Sequence, residues 1–151
     1  YVSIHNSAIK SSKGTNTVTL GDQITYFEMI GCEVVNTAGA LAIEDLSSSP
    51  ITPLHLYTHN YIKSSGDASV AMRINVVFPP FPPKNASVAF HNNTVWGNLT
   101  SGTAVTAAQF SNNAIYGTNT WTQNGAATSD GFNNTHLNRS TAQALPESWE
   151  D

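Results

Sequence analysis

The chain has 151 residues, the length of one domain and enough to bury a core. Six Lys and Arg against ten Asp and Glu give a formal charge of −4, and charged residues make up 11%, against about 25% in an ordinary soluble domain. These figures exclude a basic field for nucleic-acid phosphates and a cationic helix for a membrane surface; no apolar run approaches the roughly 20 residues of a membrane span.

Apolar residues at 40% also exclude disorder of the charged kind. In place of charge the chain carries 16 Asn, 16 Ser and 17 Thr. Short polar side chains at that density predict many turns and strands surfaced by Ser, Thr and Asn.

In chain order, the first element is a pattern of apolar-x-apolar-x-x-small-x-apolar, Val2-Ile4-Ser7-Ile9. No charged region followed by an apolar stretch precedes it, so no signal peptide is visible. Tyr1 and Val2 read as the middle of a strand, and the chain is expected to be a fragment or mature product of a longer one. After Gly14 comes an alternating segment, Val18-Thr19-Leu20, and then the first pattern again as Phe27-Met29-Cys32-Val34. Cys32 is the single cysteine, which removes an intrachain disulfide and a cysteine metal site. Gly39 leads into Leu41-Ala42-Ile43, followed by an insertion at 44–53 and by Leu54-Leu56-His59-Tyr61. Gly66 leads into Val70-Ala71-Met72-Arg73-Ile74, and a second insertion at 75–87 contains Phe78-Pro79-Pro80-Phe81-Pro82-Pro83. Val88-Phe90-Asn93-Val95 follows, then Gly102 with a weaker alternation at Thr103-Ala104-Val105, then Ala108-Phe110-Asn113-Ile115. The last two are close copies, Phe-His-Asn-Asn-Thr-Val-Trp-Gly-Asn at 90–98 and Phe-Ser-Asn-Asn-Ala-Ile-Tyr-Gly-Thr-Asn at 110–119.

Each period therefore holds three short strands: the alternating one, the apolar-x-apolar one, and one after a bend. No segment sustains a helical period, and Gly, Asn and Pro interrupt too often for helices. Three strands per turn of 20 to 34 residues predict a parallel solenoid in which equivalent residues stack about 4.8 Å apart. The bend column would hold Ser7, Cys32, His59, Asn93 and Asn113. Asn tolerates the left-handed backbone, and its amide can donate to an Asn one level along. Asn6, Asn92 and Asn112 take that place if the register is shifted by one.

The two copies at 90–98 and 110–117 resemble coils of right-handed parallel β-helix proteins, the pectate-lyase-like superfamily, and the resemblance covers about residues 2–120. It implies an all-β fold, a right-handed parallel β-helix (solenoid) of about five coils over 1–119, with an irregular C-terminal capping tail at 120–151. That tail carries Trp121, Phe132, Leu137, Leu145 and Trp149. The resemblance also implies an extracellular, secreted or virion-surface protein, a polysaccharide or glycan partner, and a groove along the outward positions of the first strand. Those positions are Thr19, Ala42, Glu44, Ala71, Arg73 and Asn75. The expected function is a carbohydrate-active or glycan-binding module, a polysaccharide lyase or glycoside hydrolase if it is an enzyme. The alternative is a structural solenoid of a surface, filament or tailspike assembly.

For lyase chemistry a cation must neutralise a carboxylate and a base must remove the α-proton; Arg73 is the candidate cation and Lys63 or His59 the base. For hydrolysis two carboxylates about 5–9.5 Å apart are needed, and Glu44, Asp45 and Asp67 are the nearest. Glu44 and Arg73 fall at equivalent places on successive coils, so the same pair also reads as an exposed cross-coil ion pair. Asp45, Asn75, Phe78 and Phe81 are the candidate substrate-binding residues. The Pro-Pro pairs favour a stiff extended rod, which either presents the two phenylalanines to sugar rings or folds them back onto the flank.

His59 is expected inward as a core histidine, and His55 and His91 outward; His5 shares the outward column of His91. Calcium is left open as a cofactor, although no ligand cluster for it is seen, and no other cofactor is implied. Sequons occur at Asn85, Asn92, Asn98, Asn133 and Asn138; the composition alone gives roughly 3.5, so their number carries no weight. Asn92 would be a poor acceptor if packed beside the ladder. The N-terminal end of the solenoid is expected to be covered by missing chain or another subunit.

Overall fold

The structure, a computed structural model, describes residues 1–21, 23–46, 54–65, 70–74, 86–101, 105–117, 119–120, 122–123, 126–127 and 135–137. Among them every regular element is a strand. In chain order these are β1 (Val2–His5), β2 (Ala8–Ser11), β3 (Val18–Leu20), β4 (Tyr26–Ile30), β5 (Glu33–Asn36) and β6 (Ile43–Asp45). They continue as β7 (Leu54–Thr58), β8 (Tyr61–Ser64), β9 (Val70–Ile74), β10 (Ala86–His91), β11 (Thr94–Trp96) and β12 (Asn98–Ser101). The last are β13 (Val105–Ser111), β14 (Ala114–Tyr116), β15 (Asn119–Thr120), β16 (Thr122–Gln123), β17 (Ala126–Ala127) and β18 (Thr135–Leu137).

Three parallel sheets collect them by threes. Sheet A runs β1-β4-β7-β10-β13, sheet B β2-β5-β8-β11-β14-β18, and sheet C β3-β6-β9-β12-β15. From β1 to β12 each strand thus pairs with the one three places later, and the chain visits A, B and C in turn through β15. β16 and β17 form a separate antiparallel pair, and β18 returns to sheet B beside β14. Phe90 stands opposite Phe110 in parallel strands, as the repeat requires.

Alternation sends one side-chain set of each strand inward. The interior holds Phe27 and Met29 from β4, Val34 from β5, Ile43 from β6, Ile62 from β8, Met72 and Ile74 from β9, Val88 and Phe90 from β10, and Leu99 from β12, all fully buried. Each such side chain contributes about 1.5–3 kcal/mol by leaving water. Phe27, Tyr57 and Phe90 stack through the interior at centroid distances of 5.4 and 6.1 Å.

The bend from sheet A to sheet B recurs with one backbone geometry. Asn6, Gly31, His59, Asn92 and Asn112 all have positive φ, between 47° and 63°. The residue after each faces inward, so the column is Ser7, Cys32, Asn60, Asn93 and Asn113, half-buried at Ser7 and buried at the other four. At Gly31 a Cβ would lie 2.6 Å from Asn6 Oδ1, so a side chain there would have to push the exposed Asn6 carboxamide aside. The asparagines form a ladder. Asn60 Oδ1 accepts from Cys32 N–H at 2.9 Å. Asn93 Oδ1 accepts from both Asn60 N–H and Asn60 Nδ2 at 3.0 Å. Asn113 Oδ1 accepts from Asn93 N–H at 2.9 Å and Asn93 Nδ2 at 3.2 Å. Each Nδ2 also donates to a strand carbonyl, of Met29, Tyr57 and Phe90 in turn.

This corrects the third repeat. The sequence reading starts it at Leu54 and places His59 inward; the structure aligns Phe27 and Val88 with His55. The inward set is therefore His55, Tyr57, Asn60 and Ile62, while Leu54 and His59 are exposed. A slip of one residue exchanges the faces of a strand. Here the left-handed bend at His59 and the ladder at Asn60 decide the register over the apolar character of Leu54. Ala42 and Ala71, expected outward, are fully buried. Around Ala71 the β9–β12 register shifts, Val70 facing Asn98 and Met72 facing Leu99. The extra residue lets Ala71 and Met72 both turn inward.

Candidate functional site

Sheet C carries the residues expected to line a groove. Ile43 and Met72 point inward and stand opposite one another in the ladder, so Glu44 and Arg73, one residue later, meet on the outward face. Thr19 precedes them in the row and Thr100 follows. Arg73 Nη1 lies 3.1 Å from Glu44 Oε1, and Asn16 Nδ2 donates to Glu44 Oε2 at 2.5 Å. Glu44 is 14% exposed in its side chain and Arg73 49%. A pair at that exposure contributes about 0–1 kcal/mol to stability. Its chemical consequence is larger. Both Glu44 oxygens are engaged, whereas the Arg73 guanidinium, with five N–H donors, makes a single bond to the described residues and is half-exposed. The Thr100 hydroxyl oxygen is enclosed without a hydrogen-bond partner.

Asp45 faces the other way. It is fully buried, and its Oδ2 lies 2.6 Å from His55 Nδ1 and accepts from the Tyr57 hydroxyl at 2.6 Å. His55 Nε2 is 3.3 Å from the Ile24 carbonyl oxygen. Both ring nitrogens thus face oxygen atoms. His55, expected outward, is therefore an interior residue held by a carboxylate from sheet C. Burial pushes the Tyr57 hydroxyl pKa well above its ordinary value, and the Asp45 charge and the hydrogen bond to it push the same way.

Lys63 is not brought to Arg73. It lies on β8 in sheet B, with Nζ 5.6 Å over the Trp96 ring, which in turn stacks on Tyr116 at 5.6 Å. His59 sits exposed at the bend with Nδ1 2.9 Å from Thr58 Oγ1. Asn75, Phe78 and Phe81, with Asp67, lie outside the described residues. The sequence reading missed a cluster on the outward face of sheet A. Glu28 Oε1 accepts from the Tyr1 hydroxyl and lies 2.8 Å from His5 Nε2, and Oε2 accepts from the Tyr26 hydroxyl. The two tyrosine rings stack at 4.8 Å and 8°. Hydrogen bonds from Tyr1 and then Tyr26 lower the Glu28 pKa, and the same bonds raise those of both tyrosines. The signal was available: Ser3 and Glu28 share a register position once Val2 is set against Phe27.

Among the described residues no group of three or more His, Cys, Asp or Glu is gathered to hold a metal ion, and no helix is long and apolar enough to cross a membrane. No protein-family model, curated protein or solved structure matches this chain.

Proposed function

We propose that the chain is part of a secreted or virion-exposed right-handed parallel β-helix of the pectate-lyase-like type, about five coils long, that binds an extended polysaccharide along the outward face of sheet C. The observation that carries this reading is the half-exposed Arg73 guanidinium on the outward face of sheet C, oriented by Glu44, its one bond to the described residues. A planar cation in that setting suits carboxylates or sulfates repeated along a glycan. The groups set apart from it narrow the chemistry. Asp45 lies inside and Lys63 on another sheet, so neither a carboxylate pair nor a cation-and-base pair from the described candidates meets on this face. Binding is thus the better supported activity, and cleavage the lesser one.

Affinity electrophoresis against anionic and neutral polysaccharides tests this. The wild-type chain retards on an anionic glycan, and Arg73→Ala weakens binding about ten- to a hundredfold, the loss of one or two charge-assisted bonds. Lys63→Ala leaves it unchanged. Failure to bind any glycan of the panel, or equal binding by Arg73→Ala, overturns the reading. Ultraviolet-absorbing unsaturated products would move it toward a lyase.

A structural solenoid is the second reading. β1, β2 and β3 each have a strand partner on one side among the described residues. Such open edges pair with further strands, and end-to-end filaments in electron micrographs would favour it.

A further inference from the structure

The sequon count is uninformative, but the structure separates the two sequons that fall among the described residues, Asn92-Asn93-Thr94 and Asn98-Leu99-Thr100. We infer that Asn92 is an N-glycan acceptor in a chain that passes through a secretory compartment, and that Asn98 is not.

Asn92 occupies the left-handed position of the bend, with φ 54°. Its backbone N–H donates to the Ser111 carbonyl at 3.1 Å, which ties the bend to the next level. Its side chain is exposed, and the carboxamide makes no hydrogen bond to the described residues. The ladder role belongs to Asn93, one residue on, whose carboxamide is enclosed and bonded on both sides. The condition that would make Asn92 a poor acceptor, packing beside the ladder, is not met: Asn93 is the inward member of the pair and Asn92 the outward one. An oligosaccharide on Asn92 projects from the apex between sheets A and B and displaces nothing in the interior.

Asn98 is in the opposite position. Its side chain is half-buried, and its Oδ1 packs so closely on the next level that a Cβ at Gly117 would lie 2.9 Å from it. Leu99, the middle residue of that sequon, is fully buried, and the Thr100 hydroxyl oxygen is enclosed. A glycan there would have to displace the contact between levels. The bend equivalents Asn112-Asn113-Ala114 and Asn6-Ser7-Ala8 lack the third-position hydroxyl, so one apex of the ridge is marked.

The donor is a polyprenyl-diphosphate oligosaccharide. The Asn92 amide nitrogen attacks the anomeric carbon, the carbon–oxygen bond to diphosphate breaks as the carbon–nitrogen bond forms, and the amide gives up one proton while diphosphate leaves with the electron pair. The bend joins sheets A and B whereas Arg73 lies on sheet C, so this site is independent of the glycan-binding reading.

The test expresses the whole chain in a eukaryotic secretory host, with an added C-terminal tail carrying one exposed sequon as control. Peptide N-glycosidase in heavy-oxygen water, followed by mass spectrometry, labels each formerly occupied asparagine. Expected are label at the control and at Asn92 in most molecules, none at Asn98, and loss of the Asn92 label in both Thr94→Ala and Asn92→Gln with the control unchanged. A labelled control beside an unlabelled Asn92, label at Asn98 equal to that at Asn92, or label at Asn92 persisting in Thr94→Ala overturns the inference.

Discussion

Replacing Asn93 by Ala removes four buried hydrogen bonds at one position. Asn93 Oδ1 accepts from Asn60 N–H and Nδ2, and its Nδ2 donates to the Tyr57 carbonyl and to Asn113 Oδ1. Two of the partners retain another bond: Asn60 Nδ2 to the Met29 carbonyl, and Asn113 Oδ1 from Asn93 N–H. The Asn60 N–H loses its acceptor in an interior where Asn60 and Asn93 are 2% and 1% exposed, while the Tyr57 carbonyl, on a strand paired on both sides, loses its side-chain donor. At about 1–3 kcal/mol for the buried N–H left unsatisfied and about 1 kcal/mol for the Tyr57 bond, the loss is about 2–4 kcal/mol. Asn92→Ala, one residue earlier, touches only the left-handed backbone and costs about 1 kcal/mol. Asn93→Asp keeps the shape and the acceptor but turns a carboxylate oxygen toward two acceptors, so it destabilises at least as much as Ala. Urea unfolding followed by circular dichroism gives the three differences, with the m-value checking that the transition stays two-state. A loss below about 1 kcal/mol for Asn93→Ala, or Asn92→Ala as damaging as Asn93→Ala, refutes the assignment of the ladder to Asn60, Asn93 and Asn113.

Cys32→Asn extends the ladder: the thiol lies 3.4 Å from the Ile4 carbonyl, where an amide would donate, while the new oxygen would face Ser7 N–H. The expected gain is about 1 kcal/mol, seen as a higher urea midpoint. Asp45→Asn removes the carboxylate that holds His55 and Tyr57 and lowers stability by about 3–5 kcal/mol, measured by thermal and urea unfolding; a loss no larger than that of a surface substitution would show that His55 is held otherwise. The raised Tyr57 pKa gives stability that is full below pH 10.0 and is lost as pH rises beyond it, so Tyr57→Phe flattens the alkaline limb of a stability profile. The lowered Glu28 pKa works in the other direction, its contribution present above pH 4.5 and fading as pH falls through the folded value, and Glu28→Gln removes that acid limb.

How much of this was legible follows from where two-residue periodicity is strong. Phe27-Met29, Val88-Phe90 and the stacked Glu44 and Arg73 were placed by alternation and spacing alone, because apolar and polar residues there take opposite faces without ambiguity. The third repeat resisted, since Leu54 and Leu56 are apolar on the outward face while His55 is polar on the inward one. Alternation reads that strand backwards. Aligning His59-Asn60-Tyr61-Ile62 with Asn92-Asn93-Thr94-Val95 would have set it right, because the bend geometry is a stronger constraint than hydropathy. The partnership of Asp45 with His55 had no such signal. It joins strands of different sheets across the insertion at 44–53, and only the closed interior brings them within 2.6 Å. The separation of Lys63 from Arg73 had no signal either, since spacing along the chain does not say which of three faces a residue occupies.

The distribution of unused hydrogen-bonding capacity separates architecture from function in this molecule. Inside, the buried asparagines are matched: the ladder amides bond one another and the strand carbonyls, and Asn36 Nδ2 donates to the Thr15 carbonyl while its Oδ1 accepts from Ala38 and Ala40 N–H. Such groups hold register, and their satisfaction leaves nothing for a partner. On the surface the Glu28 carboxylate is likewise occupied by Tyr1, Tyr26 and His5, and that of Glu33 by Lys10 at 2.9 Å. Arg73 and Asn92 differ. Among the described residues the first makes one bond with its five donors, and the second, at an exposed apex, has no partner for its carboxamide; they lie on separate sides of the strand stack. Groups whose capacity the fold leaves open are the ones through which it can meet other molecules, and the two assays above ask that of each in turn.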